Sequence, residues 1–151
     1  MAEEEKRTPG QILLRLGFLL YAGAMLWLLF GQRLGSGIYE QQLASSINLT
    51  PLATIEMYLQ MLHSSSAYLV RHAFINLVGN VVMFIPLGFF QPYLARTLRA
   101  FWKTLFCTFC LIILIEAVQY FTLLGTCDID DLILNLAGAA AGYGIWRGYH
   151  R

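Results

Sequence analysis

Four long stretches that carry almost no charge set the strongest constraint on how this chain can fold. They are residues 12–31, 73–95, 101–124 and 132–146. Only Arg15, Lys103 and Glu116 interrupt them. A helix of about 20 apolar residues crosses the hydrocarbon core of a bilayer. Charged residues make up 13% of the chain, against roughly 25% in soluble domains. The sequence therefore predicts an all-α membrane bundle of four transmembrane helices.

The positions of the basic residues predict how these spans are oriented, because cytoplasmic flanks of membrane helices accumulate Lys and Arg. Eight of the ten basic residues fit one pattern: Lys6, Arg7, Arg15, Arg96, Arg99, Lys103, Arg147 and Arg151. This pattern places both termini and the loop between spans two and three in the cytoplasm, with residues 32–72 and 125–131 outside. The first span lacks a small-residue cleavage site, so we expect an uncleaved anchor.

The fourth span is too short unless it includes the acidic residues that precede it. Residues 132–146 would form a helix of about 22 Å, short of the roughly 30 Å hydrocarbon thickness. A helix from Asp128 to Arg147 reaches about 30 Å and draws its first turn into the outer interface. The predicted spans within a single domain, residues 1–151, are therefore about 12–31, 73–95, 101–124 and 128–147.

The outer segment contains one helical pattern, between Pro51 and His63. The apolar residues at helical spacing are Leu52, Ile55, Leu59 and Leu62. Thr50 is the predicted cap, and Pro51 is the predicted first helical residue. We expect a short amphipathic helix that lies in the outer interface of the membrane or packs over the bundle.

Polar residues of three spans are predicted to meet at one depth, because adjacent spans run in opposite directions. The residues in the outer halves are Asn76, Asn80, Glu116, Gln119, Asp128, Asp130, Asp131 and Asn135. Ionisable residues inside a membrane usually face the protein interior and mark ligand, ion or proton sites. We therefore predict that these eight residues bind a ligand from the outer leaflet.

Glu116 has the most unusual environment, since apolar residues flank it on both sides. Glu116, Asp131 and His72 are candidates for acid and base catalysis. Glu116, Asp128 and Asp131 are candidate ligands for a divalent cation. The spacing matches neither a metal signature nor a nucleophile motif. A structural alternative is that Glu116 is neutral and forms a hydrogen bond with Asn80 or Asn76.

The fourth span also carries a stripe that continues from its acids into small residues. Asp128, Asp131, Asn135, Gly138 and Gly142 follow helical spacing, so one helix face bears charge at its start and glycine further along. Glycines four residues apart are typical of close helix packing in membranes. Gly138 and Gly142 therefore predict a packing seam, and they could also join two copies of the chain.

Three ordered blocks and one loop segment recur in a known family. The blocks are Asn76-Leu-Val-Gly79-Asn80-Val-Val-Met-Phe84-Ile-Pro86-Leu-Gly88, Glu116-Ala-Val-Gln119 and Asp128-Ile-Asp130-Asp131-Leu-Ile-Leu-Asn135-Leu-Ala-Gly138, and the segment is Asn48-Leu49-Thr50-Pro51-Leu52. Together they resemble the VanZ-like family over nearly the whole chain. That family is bacterial and takes its name from a protein associated with resistance to the glycopeptide teicoplanin. The resemblance implies a multi-pass protein of the bacterial cell membrane and a contribution to glycopeptide resistance.

One departure from the family pattern concerns a basic residue. Many members carry an arginine shortly before the acidic block, where this chain reads Leu124-Gly125-Thr126-Cys127. If that arginine pairs with an acid or an anionic ligand, Arg71 or Arg33 would have to replace it here.

Three functions from different classes are open at this point. The first is binding of a lipid-linked cell-wall precursor or a lipoglycopeptide, in which a divalent cation or Arg71 would bridge to phosphate. The second is an intramembrane enzyme that acts on a lipid or cell-wall precursor through Glu116 and Asp131. The third is ion or proton transport, which the inner half supports least because Thr104 and Cys110 are its expected polar groups. We expect the lipid bilayer as a partner and no nucleic acid.

Overall fold

The computed structural model describes residues 9–31, 47–122, 124 and 127–150, and these residues form five α-helices and two short strands. The helices are α1 (Pro9–Leu26, continued by a π-helical turn, Trp27–Gly31), α2 (Ala53–Met61), α3 (Ala67–Leu94), α4 (Phe101–Phe121) and α5 (Ile129–Tyr149), with a 3-10 turn at Arg96–Arg99. The strands are β1 (Ile47–Asn48) and β2 (Cys127–Asp128), which pair in parallel. The all-α prediction is confirmed, and the predicted outer residues 32–46 lie outside the described part.

Among the described residues, three helices are long and apolar enough to cross a membrane: Pro9–Gly31, Ala67–Leu94 and Phe101–Phe121. Large apolar side chains on their outward faces are open to the surroundings, as for Leu20 and Trp102, which are exposed by 76% and 77%. The predicted fourth span corresponds to α5. It is as long as α4, but two carboxylates lie in its first turn, and it is not one of the three. The fourth span therefore stays a prediction.

The two helices in closest contact are α3 and α5, which run parallel with their backbones touching. The seam pairs Gly88 with Ala139, Gly138 with Val81, and Gly142 with Ile85. A β-carbon on any of these glycines would overlap the backbone carbonyl oxygen of its partner residue. The predicted packing seam therefore lies within one chain. Within one chain α3 covers Gly138 and Gly142, and the contact between copies stays a prediction.

The remaining long helices, α1 and α4, run antiparallel to α3. On α1, the Tyr21 hydroxyl donates to the Met83 carbonyl oxygen at 2.8 Å. Apolar residues from α1, α3 and α4 meet in a buried core: Met25, Phe84, Leu87, Ile112 and Ile115. The helix directions separate most charges of the described residues. One end, here the acidic end, carries Asp128, Asp130 and Asp131, and the other, the arginine end, carries Arg15, Arg96, Arg99 and Arg147; Arg71, near the start of α3, is a basic residue at the acidic end.

The half of the bundle near the arginine end is more polar inside than the sequence suggested. The Thr108 hydroxyl donates to the side-chain oxygen of Gln91 at 3.1 Å, and both residues are buried. This hydrogen bond joins α3 to α4. The expectation that Thr104 and Cys110 are the polar groups of this half was wrong, because Gln91 near the end of α3 points inward.

Candidate functional site

Asp130, a residue of α5, caps the N-terminus of α2. Its fully buried carboxylate accepts hydrogen bonds from the backbone N–H groups of Leu52, Thr54 and Ile55 at 2.6, 2.7 and 3.0 Å. The first N–H groups of a helix have no partner within the helix, and a carboxylate there also meets the positive end of its dipole. Leu52 has a left-handed backbone, with φ of 68°. The predicted cap at Thr50 is wrong, because Leu52 occupies the cap position and Asp130 binds the N–H groups.

Asp128 also connects α2 to α5. It caps α5 by accepting from the Asp130 N–H at 2.9 Å, and it also accepts from the Thr54 hydroxyl at 2.6 Å and the Asn48 amide at 3.4 Å. We call Asn48, Leu52, Thr54, Asp128 and Asp130 the α2–α5 clamp. Both predicted ligand-binding acids of the clamp are thus engaged in holding α2 against α5.

A separate cavity of about 140 Å³ lies at the acidic end, between α1, α3, α4 and α5. Its polar lining consists of Asn76, Asn80, Glu116, Gln119, Asp131 and Asn135, and its apolar lining of Leu28, Leu29, Met83 and Ile115. We call it the acidic cavity. The structure therefore brings together six of the eight residues predicted to bind a ligand. They meet because α4 runs opposite to α3 and α5, which puts its end beside their beginnings.

The amide groups of the cavity direct their donors toward the protein itself. The side-chain nitrogens of Asn76, Asn80 and Gln119 donate to the His72 carbonyl, the Asp131 carboxylate and the Leu29 carbonyl at 2.8, 2.6 and 3.1 Å. Each acceptor is an oxygen, so the assignment of nitrogen and oxygen in these amides follows from chemistry. These amides therefore offer mainly their acceptor oxygens to a ligand.

Asn135 and Glu116 form the deep part of the acidic cavity. Asn135 is 5% exposed and Glu116 is 6% exposed, whereas Asn76, Asn80 and Asp131 are half-buried. The side-chain oxygen of Asn135 is buried and has no hydrogen-bond partner among the described residues. A buried polar atom without a partner costs about 1–3 kcal/mol. None of the ten lining residues is basic, so the cavity suits a ligand that donates hydrogen bonds or carries positive charge.

The comparison with known families settles what kind of chain this is. Residues 18–150 match the model of the family described as VanZ/LLP1. The chain belongs to the VanZ/LLP1 family. No curated protein and no solved structure matches it.

In this VanZ/LLP1 chain, the family blocks supply the polar lining of the acidic cavity. All six polar lining residues come from the three blocks that carry the resemblance. The basic residue that many members have before the acidic block is not replaced by Arg71, which is exposed and does not line the cavity. Arg33 lies outside the described residues. The lining of this family member thus carries acidic groups without a basic one.

His72 and the three predicted metal ligands do not meet in one site. The exposed ring of His72 stacks on Tyr68, with ring centroids 6.1 Å apart, and does not line the acidic cavity. Across the described residues, no three His, Cys, Asp or Glu side chains form a group that could hold a metal ion. Asp128 belongs to the α2–α5 clamp, so the predicted set of Glu116, Asp128 and Asp131 is not assembled.

Cys127 belongs to β2, just before α5, and its environment disfavours a nucleophilic role. Burial raises the pKa of the Cys127 thiol, and the carboxylates of Glu116 and Asp128 raise this pKa further. The thiolate is the reactive form of cysteine. A raised pKa lowers the thiolate fraction of Cys127, and this disfavours attack by its sulfur.

Sequence reasoning missed the contribution of α1 and of the segment before α2. Leu28 and Leu29 close one wall of the cavity, and the Leu29 carbonyl orients Gln119. Asn48 and Thr54 complete the α2–α5 clamp. The one available signal was that Asn48 lies in the loop segment that resembles the family.

Proposed function

We propose that this protein is a multi-pass protein of the bacterial cell membrane that binds the polar head of an amphiphilic ligand in the acidic cavity. The ligand is a lipid-linked cell-wall precursor or a lipoglycopeptide, and binding contributes to resistance to glycopeptides of the teicoplanin type. The observation that carries the proposal is the meeting of six polar residues from three family blocks in one cavity. The proposal places that cavity toward the outer leaflet.

The membrane placement is supported by the distribution of charge along the bundle. The arginine end fits the cytoplasmic side, because Lys and Arg accumulate there. In this orientation both termini are cytoplasmic, and α5 serves as a fourth span of about 31 Å, parallel to α3. The exposed apolar residues Leu52, Met57 and Leu59 support α2 as a helix in the outer interface.

The size of the cavity limits how much of the ligand can enter. Pockets that enclose a whole drug-sized molecule measure about 300–1,000 Å³, whereas the acidic cavity measures about 140 Å³. A single headgroup fits, for example one amine or part of one sugar ring. The acyl chains of the ligand stay in the bilayer beside the cavity, as its apolar lining of Leu28 and Leu29 allows.

The chemistry of the lining selects a donor headgroup. Asp131 and Glu116 contribute carboxylates, and the Asn135 oxygen is a buried acceptor. Ammonium, hydroxyl and amide N–H groups supply the donors that these oxygens require. A bare phosphate would face only acidic and amide groups. We therefore assign the cavity to the amine or sugar part of the ligand rather than to its phosphate.

Replacing Asn135 by leucine is expected to raise thermal stability while it weakens ligand binding. Leucine has similar size and removes a buried acceptor that lacks a partner, so the free energy of unfolding of the ligand-free protein should rise. The ligand loses a hydrogen bond, which is expected to weaken its affinity about tenfold. The measurements are the melting temperature in detergent and the binding of teicoplanin and of a lipid-linked disaccharide-peptide to protein in nanodiscs.

The matched control for Asn135→Leu is Gln60→Leu, which removes an exposed amide from α2. Gln60→Leu should change neither affinity. The proposal is contradicted if neither probe binds the wild-type protein, or if Asn135→Leu binds both probes with unchanged affinity.

A second candidate function, an intramembrane enzyme, is favoured by the presence of both Glu116 and Asp131 in one cavity. The change Glu116→Gln separates the two functions, because an amide keeps the shape of the side chain but cannot transfer a proton. If the protein binds without reacting, Glu116→Gln should lower resistance only in proportion to the loss of affinity. Resistance that is abolished at nearly unchanged affinity would instead identify an enzyme.

A further inference from the structure

A second cavity, of about 310 Å³, lies at the arginine end between α1, the last turn of α3 and the 3-10 turn. Its lining includes Gln11, Leu14, Arg15, Tyr93, Leu94 and Arg99. It is separated from the acidic cavity by the apolar core around Phe84 and Leu87. Neither the family blocks nor the proposed function involves this second cavity.

Two guanidinium groups from different elements give this cavity its chemistry. Arg15 belongs to the second turn of α1, whereas Arg99 belongs to the 3-10 turn after α3. The carboxylates of the described residues belong to α2, to the end of α4 and to the start of α5, at the opposite end of the bundle. The cavity is therefore positive within the described part of the chain.

The remaining lining residues add an apolar side to this positive site. Leu14 and Leu94 face the same space as the two arginines, and Tyr93 contributes an aromatic ring with a hydroxyl group. A site with guanidinium groups beside leucines suits a molecule that has an anionic head and a hydrocarbon tail. Arginine recognises phosphate through paired hydrogen bonds. Basic pockets between membrane helices bind anionic lipid headgroups in this way.

We propose that this cavity binds the phosphate headgroup of an anionic phospholipid from the adjacent leaflet, with Arg15 and Arg99 holding the phosphate. The acyl chains then run along Leu14 and Leu94 into the bilayer. The bound lipid adds a link between α1 and the rest of the bundle near the arginine end, whereas the buried residue of α1, Met25, and the Tyr21 hydrogen bond to Met83 lie further along the helix. This proposal is independent of the ligand in the acidic cavity and of which side of the membrane each end faces.

The test uses the full-length protein in detergent, titrated with phosphatidylglycerol or phosphatidylcholine and followed by native mass spectrometry. Each exposed arginine near a membrane surface contributes about a fivefold gain in affinity for anionic lipid. Arg15→Gln and Arg99→Gln are therefore each expected to bind phosphatidylglycerol about fivefold more weakly, and the double variant roughly 25-fold more weakly. Arg15→Lys should lose less than Arg15→Gln, since the charge remains while the paired geometry is lost.

The matched control is Arg71→Gln, which removes an exposed arginine at the acidic end and should leave phosphatidylglycerol affinity unchanged. Equal affinity for phosphatidylcholine, or wild-type affinity in the double variant, would overturn the proposal. Inorganic phosphate provides a further arm of the test. If it displaces phosphatidylglycerol at similar concentrations, the site binds free anions and the assignment to a lipid is wrong. Melting temperatures without added lipid check that each variant is folded.

Discussion

Gly142→Ala is expected to destabilise the protein by about 3 kcal/mol or more, because the added methyl group has no space to occupy. It would overlap the Ile85 carbonyl oxygen and crowd the Phe89 backbone nitrogen, so α3 and α5 would have to separate. Backbone atoms cannot move aside as a flexible side chain can. The separation would also pull Asn135 and Asp131 away from Asn80, so binding of the proposed ligand in the acidic cavity should be lost. The melting temperature in detergent and teicoplanin binding measure the two effects.

Gly144→Ala is the matched control for this change. Gly144 lies two residues further along α5, and nothing lies within 4 Å of the position its β-carbon would take. Alanine is favoured over glycine inside a helix by roughly 0.5–1 kcal/mol, so Gly144→Ala should be neutral or slightly stabilising. If the two variants melt at the same temperature, α3 and α5 do not pack at Gly142 as described here.

Asp130→Ala is expected to release α2 from the bundle. The change leaves three N–H groups at the start of α2 without their acceptor, and hydrogen bonds to charged groups each contribute about 1.5–3 kcal/mol. Loss of the acceptor also removes the contact that holds Leu52 in its left-handed conformation. We expect hydrogen exchange at the α2 amides to accelerate by at least a hundredfold. Limited proteolysis should then cut the chain near Leu52.

The control for the clamp is Glu56→Gln, since Glu56 is an exposed carboxylate on the same helix. It should change exchange at the α2 amides by less than about fivefold, because an exposed carboxylate in the first turn contributes only about 0.3–1 kcal/mol through the helix dipole. Asp130→Asn should fall between the wild type and the alanine variant, because one side-chain oxygen remains as an acceptor. Protection of the α2 amides that is equal in Asp130→Ala and Glu56→Gln would contradict the assignment of Asp130 as the cap.

Much of the fold and most of the cavity followed from local patterns in the sequence. The lengths of the apolar stretches predicted α1, α3 and α4. Helical spacing placed Asp131, Asn135, Gly138 and Gly142 on one face of α5, and all four face α3 or the acidic cavity in the structure. These predictions succeeded because they depend on helix geometry alone.

The roles of the other acids could not be predicted in the same way. Asp128 was placed on the stripe with Asp131, but it is the cap of α5, with extended backbone at φ of −124°, so helical spacing does not describe its direction. Asp130 bonds to residues 75 to 78 positions earlier in the chain. Such a contact leaves no periodic signal. The three acids look alike in sequence, and only the packing of α2 distinguishes the two structural ones from Asp131.

The position of the α2–α5 clamp in the chain has a consequence for biosynthesis. Ribosomes add about 5–20 residues per second, so Asp130 emerges roughly 4–15 s after Thr54. During that interval the nascent chain lacks the carboxylate that accepts from the first N–H groups of α2. The arrival of α5 therefore completes the acidic cavity and supplies the cap of α2 in one event. A product terminated before α5 would lack the cap of α2 and should be cut more readily by proteases, so the survival of the chain depends on the arrival of a single carboxylate.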